Sequence, residues 1–119
     1  MHSALLNVTF DCRDPAVVAA FWGAVTGYAV EEVDSPGNRF WVVGPAHGRR
    51  PRLVFVRVPE PKVVKNRVHL DVLPLEDDQD TEVERLLSLG AMLVDDRRQK
   101  EPGGWVVLAD PEGNEFCVE

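Results

Sequence analysis

The sequence predicts an α+β fold: two βαβββ modules forming a concave, partly closed mixed sheet, with one helix per module on the outside. Three observations predict it. The order strand, helix, strand, strand, strand occurs twice along the chain. The two helix stops, Gly27 and Gly90, are 63 residues apart, and the two Trp-Val-Val triplets, at Trp41 and Trp105, are 64 apart. The length, 119 residues, suits one domain rather than two. The expected organisation is a single domain over residues 1–119, with module one at about 4–58, a connector at 59–65 and module two at about 66–119.

Residues 4–12 alternate as a strand, with Leu6, Val8 and Phe10 on one face and Asn7, Thr9 and Asp11 on the other. In "DPAVVAAFWGAVTGY", Asp14 is an N-cap and Pro15 a first helical residue. Val18, Phe21, Trp22 and Val25 then make an apolar stripe, and Gly27 stops the helix. "YAVEEV", "RFWVVG" and "RLVFVRV" follow as strands, separated by the turn-forming runs "DSPGN" and "GPAHGRRP". Module two repeats the order. "RVHLDVL" is a strand and "DTEVERLLSLG" a helix, with Val83, Leu86 and Leu87 on its stripe. "AMLVDD", "GWVVLA" and "EFCVE" are strands, the last two joined by the turn "DPEGN".

Composition, at 45% hydrophobic and 28% charged, is that of a water-soluble globular chain. At this size roughly two-thirds of the unfolded surface can be buried, enough for an unstapled core. The net charge of −7 argues against a nucleic-acid binder and favours neutral or cationic ligands. No apolar run approaches the roughly 20 residues of a membrane span. "MHSALLNVTF" carries no basic leader, so a cytoplasmic location is expected. Six of the twenty acidic residues lie in "EDDQDTEVE", a solvated loop and first helical turn. Cys12 and Cys117 read as small buried hydrophobes, and two cysteines make no disulfide framework. His2 and His47 read as solvated.

In "NRVHLDV", Val68, Leu70 and Val72 share one strand face and Arg67, His69 and Asp71 the other. With the apolar faces of both first strands on the helices, the polar faces line the hollow side. The expected ligand-binding set is His69, Arg67 and Asp71 with Asn7, Trp41, Trp105, Cys117 and Glu115. Arg67 would pair with a carboxylate, phenol or amide of a ligand, and the tryptophans would stack on a planar one or else serve as core aromatics. His69 is either a cavity histidine held by a neighbour or a working acid/base.

Paired modules carrying "DPAVVAAFWGAVTGY" in the first half and "HLDV", "LGA" and "DPEGNEFCV" in the second resemble the vicinal oxygen chelate superfamily of glyoxalases, bleomycin-resistance proteins and extradiol dioxygenases. The resemblance covers essentially the whole chain and is nearest to small glyoxalase-like domains. It implies a homodimer. In metal-using members it implies one ligand from the first and one from the last strand of each module, typically His and Glu, around a divalent ion. Here His69 stands at one such place, Asn7 at its module-one counterpart, Phe55 or Val56 at the next, and Cys117 at the carboxylate place, two residues from Glu115. That set implies no resident metal. Three readings of function remain open: a metal-independent binder of a small molecule, a lyase or isomerase using His69 with or without a divalent metal, and a non-catalytic assembly or regulatory module.

Overall fold

The computed structural model describes residues 1–35, 38–45, 48–100 and 102–119. Pro36 and Gly37, where a turn is expected from the sequence, and His47 lie outside them. Two compact units, Met1–Pro61 and Lys62–Glu119, repeat one plan.

In the first unit, β1 (Asn7–Cys12) is followed by α1 (Pro15–Thr26), β2 (Ala29–Ser35), β3 (Asn38–Gly44) and β4 (Arg52–Arg57). The sheet order is β1-β4-β3-β2, with β1 parallel to β4 and the other pairs antiparallel. The second unit contains β5 (Leu70–Val72), α2 (Gln79–Ser88), β6 (Met92–Asp96), β7 (Val106–Ala109) and β8 (Glu115–Val118). Its order, β5-β8-β7-β6, is the same plan with the same parallel and antiparallel pairings. The strands therefore make two open four-stranded mixed sheets, each with its own helix.

The helix ends follow their local chemistry. The Asp14 side chain accepts from the Val17 N–H, Pro15 opens the first turn, and Gly27 closes α1 at φ 73°. A residue with a Cβ would be strained in that left-handed conformation. Asp78 caps α2 by accepting from the Thr81 N–H at 2.8 Å, which holds its carboxyl below the usual range. Gln79 then donates to the Gly104 and Val118 carbonyls, at 2.9 and 3.1 Å, and so pins the first turn of α2 to the end of β8. Neither helix is long and apolar enough to cross a membrane.

Register assigns the faces. Phe10, Phe55 and Trp41 lie opposite one another across β1, β4 and β3, so they share one face. Phe10 packs on Phe55 and on Trp22 of α1, with ring centroids 5.0 and 5.5 Å apart. That face is the core of unit one. In unit two, Leu70, Phe116 and Leu108 lie opposite one another, as do Val72, Val118 and Val106. Four of these, on β7 and β8, are fully buried, as are Val83 and Leu86 of α2. Burying each such side chain contributes roughly 1.5–3 kcal/mol.

Three expectations need correction. β5 starts at Leu70, not near residue 66, because the Asn66 side chain takes the position of a ladder partner: its Oδ1 accepts from the Glu115 N–H at 3.1 Å. With no strand there, Val68 is 74% exposed and packs on no helix. Leu6, just before β1, is likewise exposed. Finally, the two Trp-Val-Val triplets are not equivalent. Trp41 aligns with Phe55 on the helix-bearing face. Trp105 shares its face with Val107, which aligns with Cys117 on the opposite side of its sheet. A one-residue offset in register reverses every side chain.

Candidate functional site

The polar face of unit two carries a hollow of about 360 Å³. Asp71 enters it from β5 and His69 from the residue before that strand; Glu115 and Cys117 from β8 and Glu119 from the residue after it; Val107 from β7 and Trp105 from the residue before it; and Lys65 from the connector. Period-two alternation explains the set. Phe116 and Val118 turn into the core, so Glu115, Cys117 and Glu119 turn away from it.

His69 Nδ1 lies 3.2 Å from Asp71 Oδ1, with both side chains about half exposed. A carboxylate at Nδ1 favours the tautomer in which Nδ1–H donates and Nε2 is left to accept. Cys117 Sγ lies 3.8 Å from the same Nδ1. The thiol is pushed up to about 11, first by burial and then by the charges of Asp71 and Glu119. It is protonated at neutral pH and is no ready nucleophile. Lys65 pairs with Glu115. The Arg97 guanidinium sits 5.7 Å from the centroid of Trp105 and is held by Asp95 at 2.9 Å. That cation–π contact, worth about 0.5–1 kcal/mol at an exposed place, orients the indole.

Of the eight expected site residues, five line this hollow and three do not. His69, Asp71, Trp105, Cys117 and Glu115 come together. Arg67 is exposed in the bend before β5 and does not line the hollow, so it offers no grip for a ligand's carboxylate there. Asn7 and Trp41 belong to unit one. Asn7 Oδ1 is shielded from solvent without a hydrogen-bond partner among the described residues. Trp41 lines a larger hollow, of about 490 Å³, beside the start of α1 with Glu32, Arg39 and Arg57. That hollow is lined by no histidine or cysteine, whereas the smaller one is lined by both His69 and Cys117. Lys65 and Glu119 line the hollow from outside the expected set. The face of Glu119 was legible from alternation; the place of Lys65 in an irregular connector was not.

Register also corrects one counterpart. Asp71 aligns with Cys117 and Thr9 with Val54. With Asn7 as the counterpart of His69, the counterpart of Cys117 is Val54, not Phe55 or Val56. Phe55 is in the core.

The duplicated βαβββ plan and the family match place the chain among the vicinal oxygen chelate proteins. The chain belongs to the glyoxalase-like domain family, whose model matches residues 7–119. No curated protein matches it. Solved structures share the fold at low identity. The fosfomycin resistance protein FosX from Mesorhizobium loti has a TM-score of 0.72 at 18% identity, over 100% of this chain and 92% of that one. A FosX variant from Listeria monocytogenes, complexed with Mn(II) and 1S,2S-dihydroxypropylphosphonic acid, has 0.72 at 19%, over 100% and 90%. A glyoxalase/bleomycin resistance/dioxygenase family enzyme from Burkholderia phytofirmans has 0.69 at 21%, over 98% and 97%.

The metal that such relatives imply finds a partial fit. Asn7 and Val54 stand where module one would supply ligands, and neither is a histidine or carboxylate. The four-ligand set of nitrogen and oxygen donors is not built. Asp71 adds a donor from β5. Ligand atoms of His69, Asp71 and Cys117 all lie within 4.8 Å of one another. A divalent metal is therefore allowed, on a different donor set.

Proposed function

We propose that this chain binds a small neutral or cationic molecule with a planar part, in the hollow beside His69 and Trp105. One observation carries the reading: the hollow is lined by the carboxylates of Asp71, Glu115 and Glu119 beside an oriented indole, and its one lysine is paired to Glu115. Carboxylates left with acceptor capacity suit ammonium, amidine or amide donors. The indole supplies apolar area and an electron-rich face. The reading includes a homodimer, which the family resemblance supports. Light scattering would then give twice the 13.3 kDa chain mass.

The test is a thermal-shift and calorimetric screen of matched aromatic amines, aromatic amides and aromatic carboxylates. Amines or amides should stabilise the protein, and Trp105→Ala should weaken their binding about tenfold or more. Stabilisation by the carboxylates alone, or by nothing in the set, overturns the reading.

A second reading, an enzyme of lyase or isomerase type, is favoured by the His69–Asp71 contact. A carboxylate that fixes the imidazole tautomer prepares Nε2 to take a proton from a bound substrate. Activity on a bound amine or amide that vanishes in His69→Gln would support it.

A further inference from the structure

We propose that His69, Asp71 and Cys117 form a single-module site for a thiophilic divalent cation such as Zn(II), with its open position toward the hollow. Metal–ligand lengths of about 2.0–2.3 Å in a tetrahedral site put the donor atoms about 3.3–3.7 Å apart. His69 Nδ1 is 3.2 Å from Asp71 Oδ1 and 3.8 Å from Cys117 Sγ, and all three ligand atoms fall within 4.8 Å. Only small side-chain adjustments separate this arrangement from a coordination shell. With Nδ1 as ligand, the ring proton of His69 resides on Nε2, and the Cys117 thiol releases its proton to solvent as the metal binds.

The backbone supports the same conclusion. Asp71 and Cys117 are direct partners in the parallel ladder of β5 and β8, so their spacing is held by main-chain hydrogen bonds. The half-exposed imidazole and carboxylate can turn toward the sulfur, which is fixed by burial. Three protein ligands with one open place is the pattern of a site that exchanges water or substrate. A sulfur donor selects Zn(II) or Co(II) over Mn(II), which prefers oxygen. All three donors come from module two. The proposal shares the hollow with the binding reading but does not depend on it, since the probe is the metal alone.

The test is titration of the full chain with Co(II), followed by absorption. The expected result is one equivalent bound, with a near-ultraviolet thiolate-to-cobalt charge-transfer band that one equivalent of Zn(II) removes and a hundredfold excess of Mn(II) does not. Cys12→Ser should retain the band and Cys117→Ser should lose it. Asp71→Asn should keep the band but weaken Co(II) binding about tenfold or more. If Cys117→Ser does not fold, Cys12→Ser and Asp71→Asn decide the matter. Absence of a sulfur band under excess Co(II), its loss in Cys12→Ser, its displacement by Mn(II), or unchanged affinity in Asp71→Asn overturns the proposal.

Discussion

Asp71 and Cys117 face each other across the parallel ladder of β5 and β8, and His69 Nδ1 stands 3.8 Å from the sulfur. The carboxylate and the burial of the thiol act in the same direction, raising the Cys117 pKa to about 11. Iodoacetamide labelling of Cys117, followed by peptide mass spectrometry, should be slow at pH 8 and accelerate toward pH 11. Asp71→Asn removes one of the negative charges and should shift that profile to lower pH. A profile centred near pH 8 in the parent protein would contradict the assigned environment.

His69→Ala should reduce ligand affinity more than stability. The imidazole is about half exposed and its bond to Asp71 is a surface contact, so denaturant unfolding should show a loss of about 1 kcal/mol or less. A loss of several kcal/mol would make the histidine a structural residue.

Asp110 is buried and holds the turn into β8. It accepts from the Glu112 and Asn114 N–H groups and from the Asn114 side-chain amide, at 2.8–3.0 Å. Asp110→Ala leaves those donors without their acceptor and should cost about 1–3 kcal/mol in urea unfolding. Asp110→Asn keeps an acceptor oxygen for the backbone groups and should recover part of that loss.

Asp96 accepts from the Arg98 guanidinium and backbone N–H, which pull its carboxyl down to about 2. A depressed carboxyl stabilises the fold above its unfolded-state pKa and ceases to do so as pH falls through the folded value. The Tm advantage of the parent over Asp96→Asn should therefore be full above about pH 5, shrink below about pH 4 and be mostly lost by about pH 2. An advantage unchanged down to pH 2 would rule out this linkage.

Phe55→Ala should cost about 3–5 kcal/mol, since its ring is enclosed by the core of unit one. Val68→Ala should change stability by less than about 0.5 kcal/mol, because its side chain stands in solvent. Urea unfolding of the two variants separates the observed packing from the alternation pattern, which would have buried Val68 against a helix.

Local chemistry made much of the fold legible. The Asp14 cap, Pro15 and the left-handed Gly27 act within one helical turn, and α1 lies where they place it. The alternation of Glu115, Cys117 and Glu119 against Phe116 and Val118 placed the site face of β8, because both neighbouring strands keep the pleat. Alternation failed in "NRVHLDV", where the Asn66 side chain replaces a backbone partner and releases Arg67 and Val68 from the strand. It failed again for Trp41, where matching triplets concealed a one-residue difference in register.

The sequence by itself determined the duplicated βαβββ order, the family, the helix ends and the core of buried apolar residues, since these depend on contacts within a few residues or on hydrophobic period. Tertiary structure alone decided that Asp71 meets Cys117, that Lys65 pairs with Glu115 and that Trp105 lines the hollow beside the histidine. Those relations depend on which residues strand pairing sets opposite one another. A shift of one position reverses a whole face while leaving composition and period unchanged.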